Sequence, residues 1–283
     1  MKQTDVIRCI ERIAPLSIAA SWDHSGVQVA SGREEITRLG VCLDPVPSSI
    51  AKALDAGANM ILSHHPLTLA PRFADRMDAY REVLALLLRA DVPLYAAHTS
   101  LDSDPAGPVS WLAEELGLRH PDGREGPLPV LERTGEMEQD GRRWECGFGV
   151  IGTCSLTPET LREKLAPWLE GSCPRLVGEL PERLERIAIC PGSGGDLAGE
   201  AAALQADVLI TGDLKYHVAL ELPLPVLDVG HFSLEEEMMR RFSRYLENSL
   251  SGVHVEFFEA RDPLRPFLAT ARPCEAGGKC FQE

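Results

Sequence analysis

The chain has 283 residues, more than one small core requires, and fits two domains of ordinary size or one large α/β unit. Hydrophobic residues at 44% and charged residues at 25% place it with globular proteins, away from the disordered and membrane classes. A formal net charge of -15 gives a field that repels phosphate backbones and anionic lipids, which disfavours nucleic acid and membranes as partners.

At the start, Asp5, Arg8, Glu11 and Arg12 interrupt the stretch where a secretory signal would be apolar, and no apolar run approaches about 18 residues. The expected location is the cytoplasm. Eight cysteines without a CxxC pair then read as free thiols. Cys274 and Cys280, in a glycine-containing tail, read as part of a solvated segment rather than a metal or redox pair.

Next come strand and helix signals in alternation. "LGVCLD" (Leu39 to Asp44) is an apolar strand, and "PSSIAKALDAGA" is a helix that Ser48 or Ser49 can cap and that ends near Gly57. "NMILSHH" is a second strand, "DRMDAYREVLALLLRAD" carries apolar residues at helical spacing, and "VPLYAAH" is a third strand. This order predicts a parallel sheet covered on both faces. "PDGREGPLPVLERTGEMEQDGRRWE" reads as a loop-rich divider, "WECGFGVIGTC" as a strand, and "SLTPETLREKLAPWLEG" as a helix with Thr157 as cap and Pro158 in its first position.

The text then repeats itself. "IAICPGSGGDLAGEAAALQADVLITGD" (Ile187 to Asp213) follows the order of "GVCLDPVPSSIAKALDAGANMILSHH": strand, turn, Ala-rich helix, strand. Cys42 to Leu62 and Cys190 to Ile210 have the same separation, and Ser63-His64-His65 falls on Thr211-Gly212-Asp213. "PLYAAHTSLD" answers "PVLDVGHFSLE", each with a histidine followed four residues later by an acid. The expected fold is therefore α/β, with two α/β domains related by an internal βαβαβ duplication and mostly parallel sheets flanked by helices. Residues 1–120 form the first half, and 121–283 the divider and second half.

Ligands of open parallel sheets bind beyond the carboxyl ends of the strands. His64, His65, His98, Asp102, His231 and Glu235 all fall there, and imidazole with carboxylate suits zinc, iron(II) or manganese. Six such groups exceed one tetrahedral site and fit two ions sharing a bridging carboxylate between the halves. His98 with Asp102, and His231 with Glu235, have the spacing that puts both side chains on one helical face. Taken singly, each has a plainer reading: a scaffold histidine, a turn aspartate in "LDSDPAG", or the acidic first turn of a helix capped by Ser233. "PGSGGDL" (Pro191 to Leu197) could cradle a phosphate or be a tight turn capped by Asp196. His24, His120, His217 and His254 read as surface or supporting residues, with His217 the best placed of them.

"WDHSGVQV", "SHHPL", "AAHTSLD", "GSGGDL", "TGDLKYH" and "VGHFSLE", in this order and spacing, resemble the GTP cyclohydrolase I type 2 homologs, also called NGG-interacting factor three-like proteins. The resemblance runs from about Ile7 to "DPLRPF". It implies a two-domain α/β protein that assembles into a toroidal homohexamer with dinuclear metal sites facing an internal cavity. It also implies that His64, His65, Asp102, His231 and a bridging Glu235 are the metal ligands, with His98 beside them as a proton-transfer candidate. His24 and Ser100 stand where the family usually carries Asn, so substrate contacts at those positions do not carry over.

Two functions follow as expectations. One is a metal-dependent hydrolase acting on a nucleotide-like or phosphorylated small molecule. The other is a non-catalytic metal carrier or regulatory scaffold. A ring around nucleic acid is disfavoured by the charge.

Overall fold

The first half of the chain lays down β1 (Gly26–Val29), β2 (Arg38–Cys42), β3 (Met60–Ser63) and β4 (Leu94–Ala96). Helix α1 (Gln3–Glu11) precedes them, α2 (Pro47–Asp55) and α3 (Ala79–Ala90) join the later strands, and α4 (Thr99–Asp102) and α5 (Trp111–Leu116) follow. The structure, a computed structural model, describes residues 1–169 and 171–266. Cys274 and Cys280 lie outside them. Pro47 opens α2 after an extended Val46, with no side-chain cap, so Ser48 and Ser49 sit inside the helix instead of capping it. Asp78 caps α3 by accepting from the Arg81 amide.

The second half contributes β5 (Val130–Gln139), β6 (Arg142–Leu156), β7 (Arg175–Val177), β8 (Leu184–Ile189), β9 (Val208–Thr211), β10 (Val226–Asp228) and β11 (His254–Phe257). Its helices are α6 (Pro158–Leu165), α7 (Ala198–Ala203), α8 (Tyr216–Ala219) and the long α9 (His231–Ser249). Thr157 caps α6 as its sequence requires. The segment expected to be a loop-rich divider is largely a β5–β6 hairpin. Its turn is Asp140-Gly141, both at positive φ, the backbone twist that antiparallel strands favour.

Two sheets result, with strand orders β1-β4-β3-β2-β11 and β5-β6-β8-β9-β10-β7. In the first, β11, β2, β3 and β4 run parallel and only β1 is antiparallel. The second is mixed rather than mostly parallel: β8, β9 and β10 are parallel, while β6 and β7 flank them antiparallel. The short turn makes β5 and β6 antiparallel, and β6 also lies antiparallel along β8.

Strand alternation divides the packing into three cores. Cys42, Ile61 and Leu94 face α2 and α3, while Ala188, Leu209 and Val226 face the side of α7 and α8. The opposite faces, Val41, Leu62 and Tyr95 of one sheet and Ile187, Ile189 and Ile210 of the other, join one continuous core. Leu234, Met238, Met239, Phe242 and Leu246 of α9 run through it. That helix also packs on β2 and β11, and its first turn meets residues that follow β3, β8 and β9.

Candidate metal centre

Six side chains converge at those strand ends. His64 and His65 follow β3, His98 precedes α4 and Asp102 ends it, and His231 and Glu235 occupy the first turn of α9. The turn of α9 begins at His231 behind Gly230, so Ser233 lies within it rather than capping it. His231 Nε2 lies 2.9 Å from Glu235 Oε2, which His65 Nε2 approaches to 3.2 Å. His64 Nε2 lies 3.5 Å from Asp102 Oδ1 and 3.7 Å from Glu235 Oε1. The two oxygens of Glu235 thus face two different groups, His65 with His231 on one side and His64 with Asp102 on the other. A ring nitrogen of His98 is within 4.8 Å of those of His64 and His65.

Each imidazole is turned by a partner on its Nδ1. His64 donates to the Ala97 carbonyl at 2.8 Å, His65 bonds Asp44 at 2.7 Å, His98 bonds Asp23 at 2.7 Å, and His231 bonds Asp213 at 2.8 Å. With Nδ1 carrying the proton, the Nε2 lone pairs of His64, His65 and His231 face one another and the carboxylates. Such carboxylate or carbonyl support behind a histidine is the usual arrangement around a bound metal. Asp23 is fixed in turn, accepting from Ser25 Oγ, the His24 and Thr99 amides and Thr99 Oγ1.

The residues present fit a cation. Among the described residues, His64 Nε2 and Asp102 Oδ1 are buried and have no hydrogen-bond partner, which is costly unless an ion completes them. Electrostatics agree. Burial disfavours charge on His65, yet Asp44 and Glu235 raise it to about 10, and Glu235 with Asp213 raises His231 to about 9. Burial pushes Asp102 up to about 7 although His64 pulls the other way, while the imidazoles of His64, His231 and His65 hold Glu235 well below its ordinary value against burial. The groups His64, His65, His98 and His65, His231, Glu235 could each hold a metal ion.

The sequence profile of the Duf34/NIF3 (NGG1p interacting factor 3) family matches residues 1–263. The chain belongs to the Duf34/NIF3 family. A relative from Clostridium perfringens (strain 13 / Type A), named GTP cyclohydrolase 1 type 2 homolog, is 32% identical over 280 residues, covering 94% of this chain and 99% of its own length. The NIF3-like protein 1 of Drosophila melanogaster is 28% identical, over 93% of this chain and 88% of its own. Among solved structures, reduced HcgD from Methanocaldococcus jannaschii aligns with TM-score 0.75 at 29% identity, covering 91% of this chain and 97% of its own. A Bacillus cereus protein related to NIF3 aligns with TM-score 0.81 at 21% identity over 95% and 99%, a likeness of fold.

Asp23, Asp44 and Asp213, which bond the imidazoles of the cluster, are the members of this arrangement that sequence reading missed. Asp44 and Asp213 end strand-like runs, where an acid next to a histidine-bearing neighbour was the available signal. The other histidines stay apart: His217 lies edge-on to Tyr216, His120 accepts from Arg124, and His24 meets Asp23 only through its amide.

Proposed function

We propose that this Duf34/NIF3 protein holds two divalent ions, drawn from zinc, iron and manganese, and is a metal-dependent hydrolase of a nucleotide-like or phosphorylated small molecule. The observation that carries this reading is the division of Glu235: Oε1 on the side of His64 and Asp102, Oε2 on the side of His65 and His231. Those five residues would hold the ions, with the glutamate shared. Bound there, the ions supply Lewis acidity that lowers the pKa of water and neutralises charge developing on the substrate.

The chain's own residues would do the rest. His98, with Nδ1 committed to Asp23, keeps its other nitrogen available to take and return a proton. A cavity of about 490 Å³ opens on His65 and His231 and is walled by Phe232, Arg175 and Arg265, room for a small-molecule substrate. Arg175 is anchored on the buried Asp228 carboxylate and offers its remaining N–H donors to an anionic group.

The internal duplication is supported by topology. The strand order β1-β4-β3-β2 matches β7-β10-β9-β8, and the register Leu39↔Met60 matches Ile187↔Val208. On this reading residues 1–120 and 121–283 are the two halves, with β11 crossing back to the first sheet. A homohexamer in the cytoplasm is part of the proposal. The exposed Leu69, Phe73 and Met77 support burial against other copies. Among the described residues, no helix is long and apolar enough to cross a membrane.

The test is metal content per chain by plasma mass spectrometry, on wild type and a His64→Ala, Glu235→Ala variant purified without added metal. Nearly two ions in the wild type and few in the variant are expected, followed by turnover of nucleotides or phosphoesters with the matching ion. A wild type that binds nothing after reconstitution refutes the reading. Bound metal with no turnover across the panel favours the carrier or scaffold.

A further inference from the structure

The strand-end loops of the second half are stacked with little side chain between them. Gly192 follows β8, Gly212 follows β9 and Gly230 follows β10. The Gly212 amide donates to the Gly192 carbonyl at 2.9 Å, and the Gly194 amide to Thr211 Oγ1 at 2.8 Å. A Cβ on Gly212 would lie 2.5 Å from the Gly230 carbonyl carbon and 2.7 Å from the His231 nitrogen. Backbone rests on backbone here, directly ahead of the first turn of α9. The first half differs at the matching places. Counted from the paired registers Leu39↔Met60 and Ile187↔Val208, Gly192 stands where Asp44 stands, and Gly212 where His64 stands. At these two places the first half supplies side chains and the second supplies room.

Gly192 is the member that touches the cluster. Its φ is +69°, and a Cβ built on it would overlap Glu235 Oε1 and lie 3.6 Å from His231 Cε1. The glutamate has no easy retreat, because its side chain is 5% exposed and held between His64, His65 and His231. We propose that Gly192 is the positioning residue for the Glu235 carboxylate: the space of its absent side chain seats Oε1 and keeps that oxygen on the side of His64 and Asp102. The inference rests on the two-ion reading above. It also gives the "PGSGGDL" turn a role other than holding phosphate, since its first glycine is spent on the carboxylate.

The test compares Gly192→Ala with Gly117→Ala. Gly117 has φ +73° and nothing within 4 Å of a built Cβ, so its variant carries a comparable left-handed backbone cost without a collision. Metal per chain, metal affinity and melting temperature are measured on both, and melting also on Glu235→Ala and on the Gly192→Ala, Glu235→Ala pair. Gly117→Ala is expected to keep nearly two ions. Gly192→Ala is expected to keep about one, with affinity weakened about 10–100-fold, and to melt lower than the control. Removing the carboxylate should erase the extra melting penalty of Gly192→Ala, because the two positions then no longer compete for space. Wild-type metal content and affinity in Gly192→Ala overturn the proposal. So does a penalty that persists in the double variant, including failure of both Gly192→Ala chains to fold. A wild type without metal refutes the two-ion reading instead, and the melting cycle then decides the Gly192 proposal alone.

Discussion

Glu236→Gln removes a buried charge that the fold carries at a cost. Glu236 lies on α9 with 6% of its surface exposed. Its Oε1 accepts from the Ala260 amide at 2.8 Å, and its Oε2 has no hydrogen-bond partner among the described residues. Burial raises its carboxyl from 4.5 to about 7, with the Ala260 amide and Arg240 acting against the rise and Asp44 and Glu259 adding to it. Because the folded value lies above the unfolded one, the stability due to the neutral form is complete below 4.5 and is lost as pH rises through about 7. The difference between the two values corresponds to about 3 kcal/mol once both states are ionised. Glutamine keeps the acceptor for Ala260 and never ionises. In metal-free protein the variant should therefore gain up to about 3 kcal/mol over wild type near pH 8, and less than about 1 kcal/mol near pH 5. Urea unfolding at both pH values, with equal m-values, measures this. An equal gain at the two pH values, or a loss near pH 8, would refute a carboxylate held against burial.

Asp213→Ala frees the Nδ1 of His231 and should weaken metal binding about 10–100-fold by chelator competition, with little change in melting because Asp213 is half-exposed. Trp111→Phe removes the 3.0 Å indole donor from the Leu234 carbonyl, which keeps its partner within α9, and should cost about 0.5–1.5 kcal/mol in urea unfolding. Phe242→Ala opens a hole in the core shared by both sheets and should cost about 3–5 kcal/mol, read as one cooperative transition. A loss below about 1 kcal/mol there would contradict the shared core.

The βαβαβ rhythm was legible because buried parallel strands carry continuous apolar runs, as "MIL" and "VLI" do, and because helices between them must show a 3.6-residue stripe. The six cluster residues were legible for a related reason. A polar side chain directly after such a strand has few neighbours except those at the ends of other strands. Less could be read of what turns the imidazoles, since the pairing of Asp44 with His65 depends on two strands lying side by side. The β5–β6 hairpin escaped because its strands are rich in charge and half exposed, leaving only the Asp140-Gly141 turn as a cue. The seat of Gly192 could not be read at all: a glycine shows its need for space only when the neighbour is known.

After α9 has crossed the shared core, β11 returns to pair with β2, residue 254 beside residue 38. The two sheets are thereby laced together like a clasp whose tongue is fastened on the far side. Parting them would mean stripping β11 from β2 and drawing α9 out of the core. The cluster accordingly stands assembled without any parting of the sheets, with a cavity lying against His65 and His231.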